Sequence, residues 1–194
     1  MISAIILAAG QSKRMGQPKM LLPWGQLTVI EQVVSTFLGA GIEDIVVITG
    51  GARQQVEAVI ERYPVRLEHN PAYENGEMLS SLQCGLRAMR AEAGATLIGL
   101  GDQPQVEVIT VRQIRKAYLE RKPTLLVPSF QRRRGHPWLV RRAFWDELLA
   151  MKSPESPRDF LNRHTTDIQY LEIDSPSILA DLDTPEDYET SRPT

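Results

Sequence analysis

The sequence is short of features that mark several protein classes. Only Cys84 is a cysteine among its 194 residues. An internal disulfide and a cysteine-built zinc site are both excluded, and a reducing, cytoplasmic setting fits best. Neither sign of charge dominates, since 22 Lys and Arg stand against 24 Asp and Glu. Sequence-blind nucleic-acid binding needs a surplus of cations facing phosphates, so no nucleic-acid partner is expected. Long apolar runs are missing too. The opening segment MISAIILAAG carries no basic residue, and its apolar character stops at Gly10. It is too short to span a membrane and reads poorly as a signal peptide, so no membrane partner is expected either. Internal repeats and low-complexity tracts are absent.

What is there is an ordinary globular composition, 42% hydrophobic and 24% charged, with nothing to divide residues 1–194 into separate domains. Short β-branched runs alternate with longer helical patterns. Ser3–Ala8, Asp44–Thr49, Val65–His69, Thr96–Leu100 and Thr124–Pro128 read as strands, several of them apolar throughout as in two-sided parallel sheets. Thr28–Leu38, Arg53–Arg62, Leu79–Glu92 and Glu107–Arg121 read as helices. The alternation implies right-handed crossovers and a three-layer α/β/α sandwich around a mostly parallel sheet. Later, Phe130–Val140 reads as a hairpin turning at Arg134-Gly135 and departing from that sheet. Pro154 and Pro157 punctuate a polar stretch, Ile168–Ile173 reads as a strand, and Thr184-Pro185-Glu186-Asp187 opens a final helix.

Three stretches carry chemistry. Leu7-Ala8-Ala9-Gly10-Gln11-Ser12-Lys13-Arg14-Met15-Gly16-Gln17-Pro18-Lys19 follows the first strand directly, at the edge where open α/β sheets bind ligands. Small residues at 8–10 admit close backbone approach, and free N–H groups can cradle phosphate. Arg14 offers a planar fork of donors and Lys19 a mobile point charge. The loop is neither GxGxxG nor GxxxxGK[ST], which removes the main support for a dehydrogenase or a P-loop protein. In Leu100-Gly101-Asp102-Gln103-Pro104, Asp102 ends a buried strand, where a carboxylate can hold a hard cation. In Asp181-Leu182-Asp183, the two carboxylates point to opposite faces of an extended segment, so one of them meets a metal; the spacing leaves Asp181 and Asp183 equal. Cys84 lies within a helical pattern as inert packing, and His69 and His164 lack metal-ligand spacing.

These stretches resemble the molybdenum-cofactor nucleotidyltransferases, within the wider nucleoside-triphosphate transferases. The first loop matches every fixed position of that family's L-A-[AG]-G-x-S-x-R-M-G-x-x-K. The resemblance implies that Leu7, Ala8, Ala9, Gly10, Ser12, Arg14 and Lys19 hold a nucleoside triphosphate, with Arg14 and Lys19 on its phosphates. It implies that the G-D-x-P aspartate, Asp102, binds Mg2+ with a carboxylate of Asp181-Leu182-Asp183-Thr184-Pro185-Glu186-Asp187. Met78–Leu86 resembles G-M-x-x-S-L-x-x-G-L, adding Ser80 and Ser81 to the nucleotide site, although Glu77 stands where glycine is usual and Gly76 comes one position earlier. Gly135-His136-Pro137 resembles the G-H-P near the acceptor, and the arginines at 132–134 could attract an anionic one. The family's G-D-x-G-A-R is reduced to Arg158 and Asp159 within 153–162.

Cytidylyl members tend to read L-A-A-G and G-D-Q-P, as here, so the resemblance implies CMP transfer from CTP to the phosphate of molybdopterin or molybdenum cofactor. Catalysis by Arg14, Lys19 and Asp102 and a molybdoenzyme as maturation partner accompany that implication. Two rivals are a nucleotidyltransferase for another phosphorylated acceptor, such as a sugar phosphate, and a non-catalytic nucleotide-binding accessory protein in cofactor delivery.

Overall fold

The computed structural model describes residues 1–75 and 77–193, apart from the Glu77 side chain, so Gly76 and the extra carboxylate of Glu77 lie outside the described residues. In chain order its main elements are β1 Ile2–Ala8, β2 Pro23–Trp24, β3 Leu27–Thr28, α1 Val29–Gly39, β4 Asp44–Thr49, α2 Arg53–Ile60, β5 Arg66–His69, α3 Glu77–Arg87 and β6 Ala95–Leu100. There follow α4 Val108–Arg121, β7 Leu125–Phe130, β8 Arg133–Arg134, β9 Trp138–Arg141, α5 Trp145–Ala150, α6 Pro157–Arg163, β10 Ile168–Glu172 and α7 Pro185–Ser191. The large sheet runs β10-β7-β9-β6-β1-β4-β5, with β8 paired to β7. Strand β1 is parallel to both β4 and β6.

Every residue of β4 is buried, as its uniformly apolar interior requires when both sheet faces are covered. One face packs Ala4, Ile6, Ile45, Val47 and Leu97 under α1, α2 and α4. The opposite face packs Ile5, Val46, Ile48, Ile98 and Trp138 under α3, α5 and α6. This is the expected three-layer α/β/α sandwich. Helix α1 starts where a capping box closes on it: the Thr28 N–H donates to Glu31 Oε2 at 2.8 Å, and Thr28 Oγ1 accepts from the Glu31 N–H. The reciprocal pair satisfies donors that the first helical turn leaves open. No helix is long and apolar enough to cross a membrane among the described residues.

The last third departs from expectation in two places. The hairpin turns at Gln131-Arg132, not at Arg134-Gly135, and both turn residues take positive φ, 49° and 63°. Such turns favour Asn-Gly, which this stretch lacks. Strand β9 then stays within the sheet, filling the place between β6 and β7 antiparallel to both. Pro128 of β7 lies beyond the last residue that β9 pairs, Leu126, so its missing N–H costs no ladder bond on that side. The polar stretch after Met151 contains a helix, α6. Ser156 caps it, Pro157 stands at its first turn, and Phe160 and Leu161 are buried.

Candidate active site

The chain leaves β1 toward β4 on one side and leaves β6 toward β7 on the other, so the carboxyl ends of β1 and β6 form the switch point of the sheet. Loops there diverge and open a crevice. The two strand ends are drawn tightly together, because the Gly101 N–H donates to the Leu7 carbonyl at 2.9 Å. A Cβ on Gly101 would lie 3.0 Å from that oxygen and 3.1 Å from Met20 Sδ. Gly10 is different: a Cβ there would meet nothing within 4 Å. Its smallness keeps open space above the loop, which suits a ligand lying against the backbone.

Residues 12–22 fold into two short helical turns. Ser12 takes positive φ, 52°, its carbonyl accepts from the Met15 N–H, and its Oγ accepts from the Lys19 N–H at 3.0 Å. That bond sets the start of the turn Lys19–Leu21 and sends the Lys19 side chain inward, where only 11% of it is exposed. The Lys19 ammonium donates to Asp102 Oδ2 in a short contact and to Asp183 Oδ1 at 3.3 Å. Burial works against its charge, but the two carboxylates outweigh burial and raise its pKa above that of an ordinary lysine. Exposed Arg14 donates from Nη2 to the other Asp183 oxygen at 2.9 Å. Two cations and two carboxylates therefore share one site.

Asp183 reaches this site because the segment carrying it is anchored on both sides. The Leu182 N–H donates to the Asp102 carbonyl at 3.1 Å. Leu182 and Tyr188 pack with Met15, Leu22, Trp24 and Val29 in a small core of their own, and Tyr188 Oη donates to the Pro23 carbonyl at 2.7 Å. Thr184 caps α7 with Asp187, whose carboxylate also accepts from the Asp183 N–H at 3.2 Å. Asp181 lines the same cleft as Lys19, Asp102 and Asp183, but its carboxylate accepts from Gln103 Nε2 at 2.6 Å instead of from Lys19. Removal of its carboxylate from water and repulsion from Asp102 push its pKa up, against the bond from Gln103.

A cleft of about 370 Å³ opens beside this cluster, lined among others by Leu7, Ala9, Gly10, Lys19, Tyr73, Met78, Ser81 and Asp102. Ser12 and Arg14 line an adjoining groove of about 320 Å³ that shares Gly10, Lys19 and Asp183. Ala8 is buried beneath. Asn70 Nδ2 donates to both Ser80 and Ser81 Oγ, at 2.8 and 3.0 Å, but only Ser81 lines the cleft; Ser80 faces a separate groove with Cys84 and Arg87. Cys84 is half-buried, and burial pushes its thiol pKa up. Gly135, His136 and Pro137 do not line the cleft. The His136 N–H donates to the Ile178 carbonyl, its Nδ1 lies 3.2 Å from the Ile98 carbonyl, and burial lowers its pKa despite that contact.

Three residues of the site escape a sequence reading: Tyr73, Asn70 and Gln103. Asn70-Pro71 directly after a strand is a turn signal that placed neither side chain, and Gln103 was legible only as part of a tetrapeptide. No group of three or more His, Cys, Asp or Glu side chains is arranged to hold a metal among the described residues. The donor set nevertheless fits a hard divalent cation that takes its other ligands from phosphate. Asp102 and Asp183 each aim one carboxylate oxygen at a single positive group, the Lys19 ammonium, and Mg2+ is usually bound by one or two carboxylates plus substrate phosphates.

Comparison with known proteins identifies the family. A sequence profile of the MobA-like NTP transferase domain matches residues 4–168. The molybdenum cofactor cytidylyltransferase of Escherichia coli (strain K12) is 30% identical over 98% of this chain and 95% of its own. The nicotine blue oxidoreductase of Paenarthrobacter nicotinovorans is 29% identical over 95% and 93%. Among solved structures, Rv0371c from Mycobacterium tuberculosis H37Rv superposes with a TM-score of 0.87 at 26% identity, covering 97% of this chain and 96% of that one. A complex of Rv0371c with manganese gives a TM-score of 0.82, at 26% identity over 97% and 96%. The chain thus belongs to the MobA-like NTP transferase domain family and, with it, to the nucleotidyltransferase enzymes.

Proposed function

We propose that the chain transfers CMP from CTP onto the phosphate of molybdopterin or molybdenum cofactor, with Mg2+, releasing pyrophosphate. The observation that carries this reading is the meeting of Arg14, Lys19, Asp102 and Asp183 beside the cleft at the β1–β6 switch point. CTP and molybdopterin as substrates rest on the sequence resemblance and on the name of the Escherichia coli relative.

In this reaction an acceptor phosphate oxygen attacks the α-phosphorus of the triphosphate. One phosphorus–oxygen bond forms, the bond to the bridging oxygen breaks, and pyrophosphate departs with that electron pair. A phosphomonoester has a second pKa of about 6 and is largely dianionic at neutral pH, so no side chain has to remove a proton. The protein's task is to position the partners and neutralise charge. Backbone N–H groups above Ala9 and Gly10 and the Ser12 turn receive the phosphates, while Arg14 and Lys19 offset the charge that builds on the departing pyrophosphate. Asp102 and Asp183 would hold the Mg2+ ion, which when bound neutralises and orients the triphosphate oxygens. Acceptor contact at Gly135, His136 and Pro137, which lie outside this cleft, rests on the sequence resemblance alone.

The test is pyrophosphate release with Mg2+, comparing CTP, GTP, ATP and UTP against molybdopterin and its molybdenum-loaded form. Release with CTP alone is the expected result. Release only when a sugar phosphate replaces molybdopterin overturns the acceptor, and nucleotide binding without any release overturns transfer itself.

A further inference from the structure

We infer that Lys19 closes the divalent-cation site in the nucleotide-free protein and that a triphosphate opens it, an inference that rests on the transferase reading above. Lys19 is 9% exposed, and its ammonium is held between Asp102 Oδ2 and Asp183 Oδ1. Asp102 and Asp183 are also the carboxylates that the proposed reading gives to the cation. A metal arriving alone must displace the ammonium and leave a buried charge without a partner, which is strongly unfavourable. A triphosphate arriving alone meets the mirror of this problem, because Lys19 and Arg14 are both engaged by carboxylates. When both arrive, the partners exchange: phosphate oxygens take the cations, and the freed carboxylates take the metal. None of the four charges of Arg14, Lys19, Asp102 and Asp183 is then left unpaired. Metal and triphosphate therefore bind with positive coupling built into the site, and linkage makes the coupling reciprocal.

Calorimetric titration of the nucleotide-free chain with Mn2+ alone tests this directly. Lys19→Met and Lys19→Gln should each bind Mn2+ about tenfold more tightly than the unaltered chain, the scale of ordinary site-to-site coupling. Lys13→Met removes the same charge from an exposed position of the same loop and should change the affinity by about twofold or less. Adding Asp183→Asn to Lys19→Met should remove the gain. The reciprocal arm uses sodium tripolyphosphate in the presence of EDTA. There Asp183→Asn should bind the anion about tenfold more tightly, and Glu74→Gln, in a neighbouring groove, should not. Mn2+ binding to the unaltered chain as tight as to Lys19→Met overturns the inference and leaves the carboxylate assignment standing. Absence of Mn2+ binding in both Lys19 variants overturns the inference and that assignment together.

Discussion

Two charge clusters in the molecule use similar groups for opposite ends. In one, His164 sits between Glu147 at 2.8 Å and Asp167 at 3.1 Å, with Arg163 bridging Glu147 and Glu155. Its ring also packs 4.4 Å from Phe144 and 4.7 Å from Phe160, centroid to centroid. All these partners come from α5, α6 and their flanks, His164 and Glu147 being 17 residues apart. In the other, Lys19 meets Asp102 and Asp183 across 83 and 164 residues, and Arg14 meets Asp183 across 169. The first cluster ties two neighbouring helices together. The second exists only once distant segments have come together, and it sets the nearly buried Lys19 and Asp102 beside the exposed Arg14 at the ligand edge, where a buried ion pair is weak evidence of stabilisation. Sequence separation and exposure to the cleft make the second cluster the one to test for chemistry.

Substitutions should separate the two. The largest effect is expected from Asp102→Asn, which should lower the rate of pyrophosphate release about 100- to 1000-fold, or roughly 3–4 kcal/mol of barrier. His164→Gln, measured in the same assay, should stay within about twofold of the unaltered rate. Within the second cluster, Asp183→Asn should slow turnover about tenfold more than Asp181→Asn, because only Asp183 shares Lys19 with Asp102. Equal losses would erase that distinction.

Smaller effects come from the two helix caps, which share one chemistry: Ser156-Pro157-Arg158-Asp159 and Thr184-Pro185-Glu186-Asp187 both form capping boxes with proline at the first turn. Ser156→Ala and Thr184→Ala should each cost about 1 kcal/mol in denaturant unfolding. Only Thr184→Ala should also reduce turnover, since its helix start aims Asp183.

The smallest effect is one of pH. Partial burial opposes a charge on His164, but Glu147 and Asp167 outweigh it and raise its pKa above the usual 6.5. A raised pKa contributes stability that is complete below about pH 6.5 and fades as pH climbs past the folded-state value. The gap in melting temperature between the chain and His164→Gln should therefore narrow from about pH 6 to about pH 9. A gap that widens instead would show that His164 is held neutral.

Legibility in the sequence follows the same division. Strand β4 matches the expected span residue for residue, and β1 and β6 differ by one at the start, because a strand covered on both faces carries a near-continuous apolar run through its interior. The charged loop after β1 was legible because small residues and two cations share one short stretch. What the sequence hid depends on tertiary partners. The turn at Gln131-Arg132 carries no glycine or asparagine, so nothing local announces its positive φ. Helix α6 was missed although Ser156-Pro157 repeats the signal recognised at Thr184-Pro185; its polar surroundings masked two core residues, Phe160 and Leu161. Which of Asp181 and Asp183 contacts Lys19 depends on the third core, where Leu182, between them in sequence, is packed.

The insertion of β9 has a consequence for how the chain is made. Strands β6 and β7 exist in the sequence well before Trp138–Arg141, yet β9 lies between them. Until β9 enters, the middle of the sheet is a slot one strand wide, roughly 10 Å across, bounded by two rows of unpaired N–H and C=O groups. The sheet cannot close between its two halves until residue 141 is in place. A chain ended at Phe130 keeps Arg14, Lys19 and Asp102 but loses the strand that joins the halves of its sheet. Such a fragment should recruit strands from other copies of itself and scatter light in solution, while the full chain stays clear.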